Sequence, residues 1–193
     1  MTQVLAATRV TILALGDSLT AGYGLPAEAA WPLLLEKKLQ ADGLDARVIN
    51  AGVSADTTAG GLNRLEWALE ENPDVAIVEL GANDALRGLD PRRTEANLDA
   101  ILNRLREKGV RVLFTGMYAP LNMGEAYTSA FNAVFPRLAA KHGVAFYPFF
   151  LEGVATKPDL NQADGMHPNA AGSKVLVERL YPEVKALLPA PAN

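Results

Sequence analysis

The stretch Val10-Thr11-Ile12-Leu13-Ala14-Leu15-Gly16-Asp17-Ser18-Leu19-Thr20 runs from an apolar, β-branched segment straight into a small polar turn. A nearly continuous apolar run of this length reads as a strand buried on both faces, as in a parallel sheet. Gly16 supplies a tight turn at the carboxyl end of that strand, where α/β sheets bind their ligands. The turn after Gly16 has two open readings. Asp17 and Ser18 are both suited to cap a helix, and Ser18 is also a small nucleophile presented at the edge of a sheet.

Outward from this stretch the pattern repeats. Arg47–Asn50, Asp74–Leu80, Val110–Thr115 and Val144–Phe149 read as further strands. Helical spacing places Trp31, Leu34, Leu35 and Leu39 on one face of Glu28–Gln40. It does the same for Leu62, Leu65 and Leu69 in a helix from Asp56-Thr57-Thr58 to Glu71. Thr94–Lys108, closed by Gly109, Glu125–Lys141 and Asn169–Leu188 complete the set, with Pro136 placed to kink the second of these. Strands alternating with helices predict an α/β three-layer sandwich, a mostly parallel five-stranded sheet flanked by helices. One domain over residues 1–193 is expected, with 1–8 and 189–193 as frayed tails. Glu79 is a charge in a strand that should be buried, so it needs a partner or a place near the end of the sheet.

Composition narrows the function. The chain has 193 residues, long enough for a substantial core. It is 49% hydrophobic and 21% charged, ordinary values for a water-soluble protein. A net charge of −4, with no Lys/Arg run, argues against nucleic acid or an anionic membrane as the main partner. The absence of cysteine excludes disulfides, thiolate catalysis and Cys-based zinc sites. No apolar run approaches the ~20 residues of a bilayer-spanning helix.

The segments after strands one, two, three and five should converge at one edge of the sheet. They carry Ser18, Gly52, Asn83, and Asp164 with His167. A nucleophilic serine needs a base and a group to orient that base. The chain has two histidines. His142 precedes Gly143 and reads as a helix C-cap favoured by the dipole. His167 comes three residues after Asp164 in Asp164-Gly165-Met166-His167-Pro168, so one loop could deliver both imidazole and carboxylate. A surface-loop histidine and a turn aspartate are the plain alternatives. A zinc reading is poor with two separated histidines and no cysteine. The backbone N–H of Ser18, the N–H of Gly52 and the amide of Asn83 are candidate oxyanion donors, although Gly52 and Asn83 are also common turn residues. Leu86, Tyr118, Pro120, Leu121 and Met166 are candidate substrate contacts, alternatively core caps under a long loop. Gly22-Tyr23-Gly24 with Ala27 loosely matches a dinucleotide fingerprint. It lies beyond the strand end, and the second strand ends at Asn50 where an acidic residue is required.

Together, Gly16-Asp17-Ser18-Leu19, Gly52, Gly81-Ala82-Asn83-Asp84 and Asp164-Gly165-Met166-His167-Pro168 resemble the blocks of the GDSL, or SGNH, hydrolases, in the order of that family. Trp31-Pro32, Val78-Glu79-Leu80-Gly81, Leu86-Arg87-Gly88 and Phe149-Phe150 are similar to its bacterial arylesterase and multifunctional thioesterase/lysophospholipase branch. The resemblance implies a flavodoxin-like sandwich and hydrolysis of small-molecule esters through an acyl-enzyme, with no cofactor and no metal. The ester class it implies is aryl or short-to-medium acyl esters, extending to thioesters or lysophospholipids. It implies Ser18 as nucleophile, His167 as base, Asp164 as orienter, and Ser18, Gly52 and Asn83 as oxyanion donors. A carbohydrate O-acetylesterase and a non-catalytic binding module on the same fold are the alternatives. Ala82 departs from the glycine often found there, and Thr20 removes the Gly-x-Ser-x-Gly elbow of the common α/β-hydrolases. The resemblance also implies a periplasmic or secreted setting, with Met1-Thr2-Gln3 read as the start of a mature chain and the cytoplasm as the alternative.

Overall fold

In a computed structural model, which describes residues 9–188, the opening strand β1 (Val10–Gly16) lies inside a five-stranded sheet. Its partners are β2 (Ala46–Gly52), β3 (Val75–Glu79), β4 (Arg111–Thr115) and β5 (Ala145–Tyr147), in the order β2-β1-β3-β4-β5. Every pairing is parallel. This is the flavodoxin-like order, and its topological switch point falls between β1 and β3. The helices in chain order are α1 (Ser18–Ala21), α2 (Trp31–Ala41), α3 (Thr58–Asn63), α4 (Leu65–Leu69), α5 (Ala82–Leu86), α6 (Pro91–Glu107), α7 (Glu125–Asn132), α8 (Val134–His142) and α9 (Ala170–Leu187). Right-handed crossovers to opposite sides of β1 put α2 on one face and α3, α6 and α8 on the other. Accordingly α2 packs on α9, and α6 packs on α3 and α8. Ile12 to Leu15, Val75 to Val78 and Phe114 are buried between these layers, as the apolar runs predict. The expected tails at 1–8 and 189–193 lie outside the described residues.

Three predicted helices are broken, two of them at a proline. The helix expected over Glu28–Gln40 becomes a 3₁₀ turn at Ala27–Ala29, extended Ala30, and then α2. Pro32 would clash with the carbonyl of residue 28, so the helix restarts with proline in its first turn. Pro136 likewise cannot bond the Asn132 carbonyl, and the helix expected over Glu125–Lys141 divides at Ala133 into α7 and α8. The helix expected to reach Glu71 divides at Arg64, whose backbone sits at φ −101°, ψ 4°. The fifth strand is shorter than expected, three residues rather than six. His142 does not cap its own helix. Its buried ring bonds Asp99 on α6 at 2.6 Å through Nε2, which ties two helices together.

Candidate active site

The Asp17-Ser18 turn both caps a helix and brings Ser18 to His167. Asp17 caps α1, its Oδ1 accepting the Leu19 N–H at 3.0 Å. Ser18, the first residue of α1, places Oγ 2.9 Å from His167 Nε2. His167 Nδ1 in turn lies 2.7 Å from Asp164 Oδ2. The second oxygen of Asp164 accepts the backbone N–H groups of Met166 at 2.9 Å and His167 at 3.0 Å. These backbone bonds, then the imidazole, hold the Asp164 carboxyl down at about 2. An ionised carboxylate only accepts, so Nδ1 carries the ring proton and Nε2 turns its lone pair to the Ser18 hydroxyl. Tyr23 covers the imidazole, with ring centroids 4.7 Å apart. Gln162 staples the two loops, donating from Nε2 to Tyr23 O and Pro168 O while its N–H bonds His167 O.

The opposite wall starts from the sheet register. Gly52, Gly16 and Glu79 lie abreast at the carboxyl ends of β2, β1 and β3. A side chain at Gly52 would collide with the backbone of α1 at Thr20 and Ala21, so glycine is what lets these segments meet. The Gly52 N–H donates to Asn50 Oδ1 at 2.9 Å. Asn83, on α5, donates from Nδ2 to Asp17 Oδ2 at 3.0 Å and to Asp56 O at 2.9 Å. Sequence reasoning treats these two groups as open donors; each already has protein acceptors. Their surroundings are tied down as well. Buried Asp84 accepts from Thr58 and Thr94, pinning α5 to α3 and α6.

Glu79 finds partners for one of its two carboxyl oxygens, Oε2, while Oε1 is buried without one. Fully enclosed, it accepts from Thr20 Oγ1 at 2.8 Å and, at 3.4 Å, from the Asp17 N–H. Burial first, then the charge of Asp17, pushes its carboxyl well above the usual range. Burial also pushes Asp17 up to about 6, against the pull of the Leu19 N–H and Asn83. Both upward shifts oppose the placing of two uncompensated charges in one dry site.

These walls enclose a cleft of about 610 Å³ with Ser18 and His167 in its lining. Of the candidate substrate contacts, Leu86, Tyr118, Pro120 and Met166 line it. Leu121 does not; it is 92% exposed on the 3₁₀ turn Leu121–Met123. Tyr23, Ser54, Ala55, Leu151, Ala155 and Thr156 also line the cleft and are not among the sequence candidates. Ala55 and Thr156 have φ of 65° and 64°, a strained conformation for side-chain-bearing residues and one common at functional sites. No sequence signal marks that strain.

Comparison with known proteins finds one family. Residues 14–175 match the model of the GDSL-like Lipase/Acylhydrolase family. Esterase TesA of Pseudomonas aeruginosa is 44% identical over 179 residues, 92% of this chain and 89% of that one. Thioesterase 1/protease 1/lysophospholipase L1 of Escherichia coli K12 is 40% identical over 184 residues, 95% of this chain and 87% of that one. The crystal structure of AlinE4, an SGNH-hydrolase family esterase, superposes with a TM-score of 0.78 at 47% identity, covering 94% of this chain and 98% of its own. With the matched blocks spread over β1, β3 and the His167 loop of one continuous fold, this chain belongs to the GDSL-like lipase/acylhydrolase family.

Proposed function

We propose that Ser18, His167 and Asp164 are the catalytic triad of this serine esterase. The observation that carries the reading is the unbroken relay from Ser18 Oγ through the His167 ring to Asp164, with bonds of 2.9 and 2.7 Å, opening into the cleft. His167 Nε2 takes the Ser18 proton as Oγ attacks the ester carbonyl carbon, forming a C–O bond. The carbonyl π electrons move to oxygen. That oxyanion is received by Ser18 N–H, in the first turn of α1 where backbone N–H groups lack helical acceptors, and by Gly52 N–H and Asn83 Nδ2. Gly52 then releases Asn50 Oδ1, and Asn83 shares its hydrogens with the oxyanion. As the C–O bond to the alcohol breaks, His167 returns the proton to the leaving oxygen. Water repeats the cycle on the acyl-enzyme and frees the acid and Ser18.

The substrates are aryl or short-to-medium acyl esters, with thioesters or lysophospholipids processed by the same chemistry. Leu86, Met117, Tyr118, Pro120, Leu151 and Met166 give the cleft an apolar wall for the acyl chain, and methionine adapts to varied shapes. That wall disfavours the carbohydrate O-acetylesterase alternative, whose substrate is polar. The setting is periplasmic or secreted, and recovery of the native protein solely in a spheroplast lysate would contradict this. Among the described residues no helix is long and apolar enough to cross a membrane. The activity test is hydrolysis of p-nitrophenyl esters from acetate to palmitate. Wild type should act best on a short or medium chain, and Ser18→Ala should lose on the order of 10⁶ in kcat while retaining its fold. Full activity in a folded Ser18→Ala variant would refute the triad.

A further inference from the structure

Arg64 stands in the break between α3 and α4, and its guanidinium is spent entirely on the wall opposite His167. Nε donates to Asp56 Oδ2 at 2.7 Å, Nη1 to Ala51 O at 2.7 Å, and Nη2 to Gly16 O at 2.8 Å. Each of these acceptors leads to the site. Ala51 O belongs to the same peptide unit as the Gly52 N–H. Gly16 O ends β1, and the next peptide unit leads to Ser18. Asp56 returns to the site through its own carbonyl, which accepts from Asn83 Nδ2 at 2.9 Å. Arg64 and Asp56 are shielded, with 17% and 13% of their side chains exposed.

We infer that Arg64 is the positioning residue of the oxyanion site: one planar fork sets the Ala51–Gly52 peptide, the end of β1 and, through Asp56, the Asn83 amide. This rests on the oxyanion roles proposed above for Gly52 and Asn83. The physical basis is twofold. A charged donor on the Ala51 carbonyl polarises that peptide and makes its N–H a stronger donor, because linked hydrogen bonds reinforce one another. A donor array that keeps its geometry between ground and transition state also costs no reorganisation when the negative charge appears. Lysine cannot replace the fork, since its ammonium is a single point that cannot reach a carboxylate and two carbonyls on neighbouring strands in one plane. Arg64 touches no substrate atom in this scheme, so its effect belongs in kcat rather than in KM.

The test compares wild type with Arg64→Met and Arg64→Lys on a p-nitrophenyl ester, beside inhibition by an alkyl boronic acid. Ser18 Oγ adds to the trigonal boron of that inhibitor and passes its proton to His167, leaving a tetrahedral boronate whose oxygen occupies the oxyanion position. Direct removal of one oxyanion donor costs about 10²–10³ in kcat; Arg64 acts through two donors, and supporting contacts are worth about 10–100-fold. The expected result is a kcat lowered about 10–100-fold, KM changed less than about threefold, and boronate affinity weakened by the same factor as kcat/KM. Should Arg64→Met fail to fold, Arg64→Lys, which keeps the charge beside Asp56, carries the same readout. Wild-type kcat and boronate affinity in a folded variant would overturn the inference, as would a loss of activity with boronate affinity unchanged. Asn83→Ala separates the two levels. If it weakens the boronate and Arg64→Met does not, only the role of Arg64 fails; if neither weakens it, the oxyanion reading fails too.

Discussion

The two walls of the cleft are built in opposite ways. The His167 wall is one short loop: Asp164 and His167 are three residues apart, and the carboxylate remains one-third exposed. The Gly52–Asn83 wall is assembled from the ends of β1, β2 and β3 and from α3 and α5, and its carboxyls at Asp17, Glu79 and Asp84 are buried. A local, wet arrangement can lose a member with little cost to the fold. An interlocked dry one cannot, because a buried group left without its partner bears its full desolvation penalty.

The largest effects should separate the walls by what they damage. Asp164→Asn is expected to lower kcat by up to about 10⁴, since it removes the acceptor that fixes the His167 tautomer. Its melting temperature should stay close to wild type, because exposed ion pairs contribute little. Asn83→Ala should lose less activity, about 10²–10³ in kcat, yet destabilise by about 1–3 kcal/mol through the stranded Asp17 carboxylate and Asp56 carbonyl. Parallel kinetics and denaturant melts check this. Equal stability losses in the two variants would break the contrast.

A smaller effect lies in the pH dependence of stability, where the walls have opposite signs. Asp164 is held below its unfolded value, so the folded state binds fewer protons. Its contribution is present above the unfolded value near 4 and lost as pH falls toward about 2. Asp17 and Glu79 are held above their unfolded values, so the folded state binds more protons. Their contribution is present below about pH 4 and lost as pH rises, through about 6 for Asp17 and above the usual carboxylate range for Glu79. Glu79→Gln keeps an acceptor for Thr20 without the acid, so its melting temperature should decline less between pH 5 and 8 than that of wild type. An identical slope would show that the buried pair does not titrate as a unit with folding.

The same contrast explains what the sequence discloses. The meeting of Ser18, Asp164 and His167 is legible because they sit in short motifs at strand ends, and the approach of Gly52 and Asn83 because strand ends converge. Glu79 is legible only as an anomaly; its partners Thr20 and Asp17 lie about 60 residues earlier, and nothing local names them. Arg64 is not legible at all. It stands between Leu62 and Leu65 in an ordinary amphipathic helix pattern, where an arginine reads as a solvated face, and its targets are set by the register of β1 against β2. The helix breaks at Pro32 and Pro136 are local and could be read, whereas no proline marks the break at Arg64. Leu121 shows the limit in the other direction: an apolar residue in the right loop stands exposed on a 3₁₀ turn and outside the cleft lining.

The proposed chemistry stands on a Ser18 that His167 makes nucleophilic and that faces the cleft. Its most direct test is labelling with diethyl p-nitrophenyl phosphate, followed by peptide mass spectrometry. Ser18 Oγ forms a bond to phosphorus, p-nitrophenolate leaves, and His167 accepts the proton. One diethylphosphoryl group per chain is expected on the peptide holding Ser18, formed in step with loss of esterase activity and much slower in His167→Ala. Complete inactivation with the label on another residue, or with Ser18 unmodified, would contradict it.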